Sequence, residues 1–254
     1  MKDKKLDNIR EIAKALLHLK PVANKELPVF IQHPFIANNP LPIKDDKGNY
    51  NFIDIFKDKE DYQHHINMLE KLIDKKDCFT DIMYLMQKPY HLFFLNMCKD
   101  IIPTNEYSKC LASVWISTEF PNSDKNVPPQ AIVEMFSSAD PNLLMSKHDK
   151  IIFDEMPDVI EIYRGTYDKN NTKALSWTTD YETARWFATR FDDEGYILKA
   201  EINKKDVFAF FNDRNESEVV VNYKKIKKFT FEMVMKISIW NWRDSYKKKN
   251  NIYE

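Results

Sequence analysis

Apolar positions recur with a helical period along the first half of the chain and with a period close to two along the second. Leu6, Ile9, Ile12, Ala13, Leu16 and Leu17 make one stripe; Tyr62, Ile66, Leu69, Leu72 and Ile73 make another; Tyr107, Cys110, Leu111, Val114, Trp115 and Thr118 make a third. Each spacing gathers its apolar side chains on one face, so three core helices are expected. Pro89, Pro129 and Pro141 sit where a proline in the first helical turn is tolerated, whereas Pro103, Pro121 and Pro157 follow or interrupt helical patterns. Residues 21–51, rich in Pro, Asn, Lys and Asp around an apolar 29–35, are expected to be irregular.

Beyond Pro157 the pattern changes. Residues 159–164 read as a strand ending at Arg164-Gly165, and a polar loop over 167–173 leads to a second short strand at 175–177. Thr179-Asp180-Tyr181-Glu182 matches a capping box, and Ala184, Phe187, Ala188 and Phe191 continue at helical spacing. Asp192-Asp193-Glu194-Gly195 reads as a turn, after which Tyr196, Leu198, Ala200 and Ile202 share one strand face. Residues 207–211 read as a strand, 212–215 as a turn and 216–221 as another strand. The expected fold is α+β: a mostly helical region over 1–150 and a β-rich, mostly antiparallel region over 151–254.

The 254 residues are 43% hydrophobic and 30% charged, a composition that builds a packed core rather than a disordered chain. Only three glycines occur, Gly48, Gly165 and Gly195, and no two are close. That excludes both the Walker A loop and the G-x-G-x-x-G dinucleotide turn, so any bound phosphate must be held by side chains and isolated amides. Cys78, Cys98 and Cys110 form no C-x-x-C pair, which argues against a disulfide framework or zinc knuckle. The adjacent His64 and His65 diverge by about 100° on a helix, and neither H-E-x-x-H nor G-x-S-x-G occurs, so no metal is expected. The charged N-terminus lacks an apolar stretch, and runs such as 92–95 and 207–211 are too short to span a bilayer. A cytoplasmic protein without membrane contact is expected.

The net charge of −1 is unevenly spread. Residues 224–254 carry nine Lys/Arg against Glu232, Asp244 and Glu254, which makes this end +6 and the rest −7. Tyr223, Phe229, Phe231, Trp240, Trp242 and Tyr246 interleave with those cations. Lysines for phosphates and aromatics for base stacking fit nucleic acid, and a closing strand with a solvated basic end fits the same pattern.

Side chains two apart on a strand share a face at about 6.6–6.8 Å, so Glu216 and Glu218 are expected to look out together. Paired carboxylates suit chemistry in which a sugar carbon becomes cationic, one stabilising that centre and the other handling a proton. Alone, an E-x-E is far more often a solvated strand face. Its context is more telling: Tyr163-Arg164-Gly165 at a strand end, Leu175-Ser176-Trp177-Thr178 at a second strand, and Glu216-Ser217-Glu218 opening a third. In this order and spacing the set resembles the arginine–serine–glutamate class of mono-ADP-ribosyltransferases over roughly residues 155–225.

The resemblance implies a split antiparallel β-sandwich core of ADP-ribosyltransferase type, and NAD as substrate. By it, Arg164 would hold the phosphates and ribose of NAD, and Gly165 would let the backbone approach the nicotinamide amide. Ser176 would orient the catalytic Glu218, with Thr178 supporting the strand-to-helix turn, and Glu218 would stabilise the oxocarbenium ion while Glu216 positions or deprotonates the acceptor. The family's serine–threonine–serine appears as Ser-Trp-Thr, which keeps the first hydroxyl and places an indole in the middle. Phe187 and Trp186 lie where an aromatic could face nicotinamide, core packing being the other reading. Phe211, Asn212 and Arg214 correspond to the loop by which such enzymes recognise acceptors. The expected partner is a macromolecular acceptor, with protein arginine first and nucleic acid as the alternative. A NAD glycohydrolase and a non-catalytic module of the same fold are the other readings. Family analogy adds the setting of a toxin of a toxin–antitoxin or phage-conflict system, with an antitoxin protein as partner. Trp115, Glu119, Phe120, Pro121 and Asn122 close a helical pattern and have only a packing and capping reading.

Overall fold

The first apolar stripe forms α1 (Lys4–Leu17), which buries Ile9, Ala13, Leu16 and Leu17. The computed structural model describes residues 4–44, 47–118, 124–171 and 173–236. Two compact units divide the chain, Met1–Leu144 and Met145–Glu254. Expected residues Glu119, Phe120, Pro121, Asn122, Trp240, Trp242, Arg243, Tyr246, Lys247, Lys248 and Lys249 lie outside the described ones.

In the first unit α1 is followed by β1 (Val22–Ala23), β2 (Ile31–Gln32), β3 (Leu41–Lys44) and β4 (Tyr50–Ile53), then by α2 (Lys59–Asp74), α3 (Phe79–Met83), α4 (His91–Cys98), α5 (Thr104–Ser117), α6 (Pro129–Ser138) and α7 (Pro141–Leu144). Residues 21–51 are therefore not simply irregular. β1 pairs with β2 and β3 with β4, both antiparallel. These strands of two to four residues leave most side chains outside the core, so no apolar alternation announces them. Of the second stripe only Ile66 and Ile73 are buried, and Thr118 stands just past α5 in extended conformation. Pro103 follows α4 and directly precedes α5 at its N-cap. The helices close over paired rings: Phe79 stacks on Phe94 at 5.2 Å, and Trp115 meets Phe136 edge-on at 5.1 Å. Burial pushes the thiol of Cys98 up to about 12 and that of Cys110 up to about 11, which leaves neither ionised as a nucleophile at neutral pH.

The second unit opens with α8 (Lys147–Glu155), capped by Ser146, whose hydroxyl accepts from Asp149 N. It belongs here and not with the first region because Ile152 and Phe153 pack on the sheet core, so the division falls after Leu144 and not after residue 150. There follow β5 (Val159–Thr166), β6 (Ser176–Thr178), α9 (Tyr181–Thr189), β7 (Glu194–Asn203), β8 (Val207–Phe211), β9 (Glu218–Val221) and β10 (Phe229–Met235). The strands form one antiparallel sheet in the order β10-β7-β5-β6-β9-β8. Its halves meet at a narrow joint, where Tyr163 opposite Thr178 is the one β5–β6 pair in register.

One sheet face buries Ile160, Ile162, Trp177, Leu198, Ala200, Ile202, Phe210, Val219 and Val221 against α8. Each large member contributes about 1.5–3 kcal/mol by leaving water. The other face is covered by α9, whose Ala184 and Ala188 pack with Ile197 and Val234. Both remaining glycines make that approach: a Cβ on Gly165 would fall 1.9 Å from Ala184 O, and one on Gly195 2.0 Å from Ala188 O. Gly195 is thus a strand residue paired with Val234 and not a turn glycine, because β7 already begins at Glu194. Asp180, one residue later than the capping-box reading, caps α9 by accepting from Glu182 N and Thr183 N. The helix stops at Thr189, so Phe191 leaves the apolar stripe and stands 74% exposed.

Replacing Gly195 by Ala should lower stability by about 1–3 kcal/mol, since the methyl must push the α9 backbone outward. An unchanged urea midpoint would count against this packing.

Candidate functional site

The strand order makes neighbours of the three strands that carry the sequence motifs. β6 lies between β5 and β9, so Arg164, Ser176 and Glu218 stand on adjacent strands although α9, β7 and β8 separate β6 from β9 in sequence. Arg164 continues the inward face of Ile160 and Ile162 and reaches across to β6, where Nη1 donates to Ser176 O at 2.7 Å. Its Nε is buried without a hydrogen-bond partner. Burial pulls the guanidinium down to about 10, and the charge of Glu218 opposes that fall. Arg164 therefore stays cationic at neutral pH.

Glu218 is the first residue of β9 and only 4% exposed. A solvated strand face does not describe it. In register it stands opposite Thr178 on one side and Phe211 on the other. Ser176, opposite Val220, lies one step along the same face, a diagonal neighbour of Glu218. The indole of Trp177 takes the opposite face, buried in the core with Nε1 donating to Ala174 O at 2.9 Å. The middle residue of Ser-Trp-Thr is thus a core residue.

Glu216 differs from expectation. It is not on the strand, because Ser217 adopts φ 45° and breaks the extended backbone before β9, with Asn215 likewise left-handed at φ 55°. Period-two geometry therefore does not align the two carboxylates. What links them is Arg214, whose Nη2 lies 2.9 Å from Glu216 Oε2 and 3.6 Å from Glu218 Oε2. The loop that carries these groups is tied down at three points. Asn212 Oδ1 accepts from Ser217 N at 3.1 Å, Ser217 O accepts from Thr179 N at 3.1 Å, and Glu216 O accepts from Thr178 Oγ1 at 2.7 Å. Thr178 Oγ1 also accepts from Asp180 N at 3.0 Å, which joins the loop to the start of α9.

Of the expected acceptor contacts, Arg214 stands at the carboxylates. Asn212 is engaged in holding the loop, and Phe211 is 3% exposed within the sheet, which withdraws its ring from the surface. Gly165 is filled on its open side by α9, so its missing side chain serves helix packing. That same contact brings the Phe187 Cβ over β5, while its ring meets Trp186 at 4.9 Å and the Arg190 guanidinium at 5.5 Å. Tyr163, given no role from the sequence, stands opposite Thr178 at the sheet joint and packs edge-on against Tyr181 at 5.5 Å. Its place on the other side of the Thr178 position from Glu218 follows from strand order, which no local pattern announces.

Arg214 thus joins two carboxylates, one buried and one half-buried, and Arg164 lies near enough for the charge of Glu218 to act on it, with a buried guanidinium N–H left over. Such a set can hold an anionic group at Arg164 and oppose a positive charge at Glu218. Among the described residues no group of three or more His, Cys, Asp or Glu side chains could hold a metal ion, and no helix is long and apolar enough to cross a membrane. No family model matches the chain, and no curated protein or solved structure matches it.

Thr178→Val keeps the shape but leaves Asp180 N and Glu216 O without their shared hydroxyl, and should cost about 1–3 kcal/mol of stability. Thr178→Ser, which retains the hydroxyl, should recover most of that loss in the same denaturation series. Equal losses would show that the methyl group matters as much as the hydroxyl and would count against the two hydrogen bonds as the main contribution.

Proposed function

We propose that the second unit transfers ADP-ribose from NAD to a macromolecular acceptor, with a protein arginine as the first acceptor class. The observation that carries this reading is the convergence of Arg164, Ser176 and Glu218 on three adjacent strands, with Glu218 buried beside a cation. A carboxylate removed from water at the mouth of a strand is costly, and a charge that develops beside it in a transition state lowers that cost when it matters.

In the reaction, the bond between ribose and nicotinamide breaks, its electron pair leaves with neutral nicotinamide, and positive charge develops on the ribose carbon. Glu218 stabilises that charge, and Ser176 on the same face keeps its carboxylate in place. An acceptor nitrogen forms the new bond to carbon and gives its proton to Glu216. Arg164 holds the diphosphate, for which the unpartnered Nε and the planar fork are suited. Phe187 offers a ring beside β5, and Gly165 contributes by seating α9.

A second reading, with nucleic acid as acceptor, draws on a groove of about 500 Å³ lined by Lys199, Lys225, Lys227, Lys228 and Phe229. Neutralising Lys225, Lys227 and Lys228 should then flatten the salt dependence of single-strand binding by about 2 in log–log slope. Binding that is indifferent to the three changes would leave the lysines as a solvated edge.

The direct test is incubation with labelled NAD and a cell extract, followed by separate protease and nuclease digestion of the product. Glu218→Gln should nearly abolish labelling with the fold intact, and Arg164→Lys should weaken NAD binding by calorimetry despite its retained charge. Nicotinamide release without labelled macromolecule would make the protein a hydrolase, and the absence of release would leave a non-catalytic module.

A further inference from the structure

β10 closes one end of the six-stranded sheet, and among the described residues it has β7 on one side and no strand on the other. Its seven residues pair with β7 without a break in register, and the bond from Lys236 N to Asp193 O at 2.8 Å carries the ladder one step further. Antiparallel pairing alternates the direction of the backbone groups along a strand. Thr230, Glu232, Val234 and Lys236 therefore turn theirs to β7, while Phe229, Phe231, Met233 and Met235 turn theirs to the free edge. The same four residues carry exposed apolar side chains. Edge strands are usually blunted by lysine, proline or a bulge, and Phe229–Met235 has none of these. Such an edge is built to accept another strand.

We infer that a second copy of this chain supplies that strand, the two β10 edges running antiparallel about a two-fold axis at Thr230. Opposite residues of an antiparallel pair share a face, so the axis passes through a residue position, and the side chains decide which one. At Glu232 it would set two carboxylates against each other, and at Phe231 or Met233 it would leave Glu232 opposite an uncharged residue. Thr230 is the position that matches charge and also pairs the aromatic rings. There Glu232 stands opposite Lys228 of the partner subunit, Phe229 opposite the partner's Phe231, and the two threonines opposite each other, all pairings that stabilise antiparallel neighbours. Both key side chains are already held: Tyr181 Oη donates to Glu232 Oε1 at 2.7 Å, and Tyr196 meets the Phe231 ring edge-on at 6.2 Å. Register links Glu218, Thr178, Tyr163, Lys199 and Thr230 in one row across the sheet, so Glu218 and Thr230 share a face. The axis then directs the Glu218 faces of both copies to the same side, with neither carboxylate site in the contact. One added ladder is a small interface, so the dimer should dissociate on dilution through the micromolar range.

Sedimentation velocity of the purified full chain across that range is the test, with circular dichroism to check that each variant folds. The wild-type chain should pass from monomer to dimer as concentration rises. Glu232→Lys sets like charges against each other twice and should weaken association about tenfold or more, and adding Lys228→Glu should restore it. Phe231→Pro removes a backbone donor from the free edge without touching the bonds to β7, and should leave a folded monomer. If Phe231→Pro does not fold, the charge exchange decides alone. A chain that stays monomeric throughout would overturn the inference, as would a dimer that survives Phe231→Pro, or a loss in Glu232→Lys that Lys228→Glu fails to restore. Capture of a single-stranded oligonucleotide at this edge by a chain that never self-associates would assign the edge to nucleic acid and overturn it too.

Discussion

Keeping the Glu218 carboxylate almost out of water is the constraint on which the second unit is arranged. An ionised carboxylate loses several kcal/mol of hydration on burial unless cations and donors replace the water. Here the replacement comes from two directions. Arg164 reaches in from β5 across the Ser176 carbonyl, and Arg214 reaches back from the loop before β9. The local conformation follows from the second of these. Left-handed backbone at Asn215 and Ser217, which costs a non-glycine residue about 1–2 kcal/mol, turns the loop back toward the strand it has yet to enter. Asn212 offsets part of that cost by accepting from the Ser217 amide.

The same economy governs the helix on the other face. α9 lies against β5 and β7 because both strands present a glycine to its backbone. Gly165 directly follows Arg164, so a single dipeptide sends a guanidinium toward β6 and admits a helix on the opposite side. Thr178 and Asp180 then couple the helix start to the loop of Glu216. A chain with three glycines has spent two of them on this contact, which accounts for a site built of side chains rather than of a glycine-rich cradle.

Functionally, the arrangement separates two carboxylates that the primary structure places side by side. Glu218 is fixed in the sheet and buried, while Glu216 sits half-buried in the turn before β9; in the proposed transfer the first would stabilise charge and the second would take a proton. The different exposure of the two follows from one broken strand residue between them.

The period of the apolar pattern determined the element types, the change from helices to strands near Pro157, and the sequence order of the Arg164, Ser176 and Glu218 motifs. Those are properties of short windows, where side-chain spacing and turn residues act locally. The paired strands over residues 22–53 were hidden because they bury too little to leave an alternation. The strand position of Gly195, paired with Val234, and the placement of Glu216 off its strand, in a loop held by Thr178 and Thr179, were hidden because each depends on a neighbour distant in sequence. Only the tertiary structure put β6 between β5 and β9, aimed Arg214 at both carboxylates and buried Phe211. Strand adjacency and charge burial gain their energy from groups that meet only after the chain has closed, so no local spacing carries them.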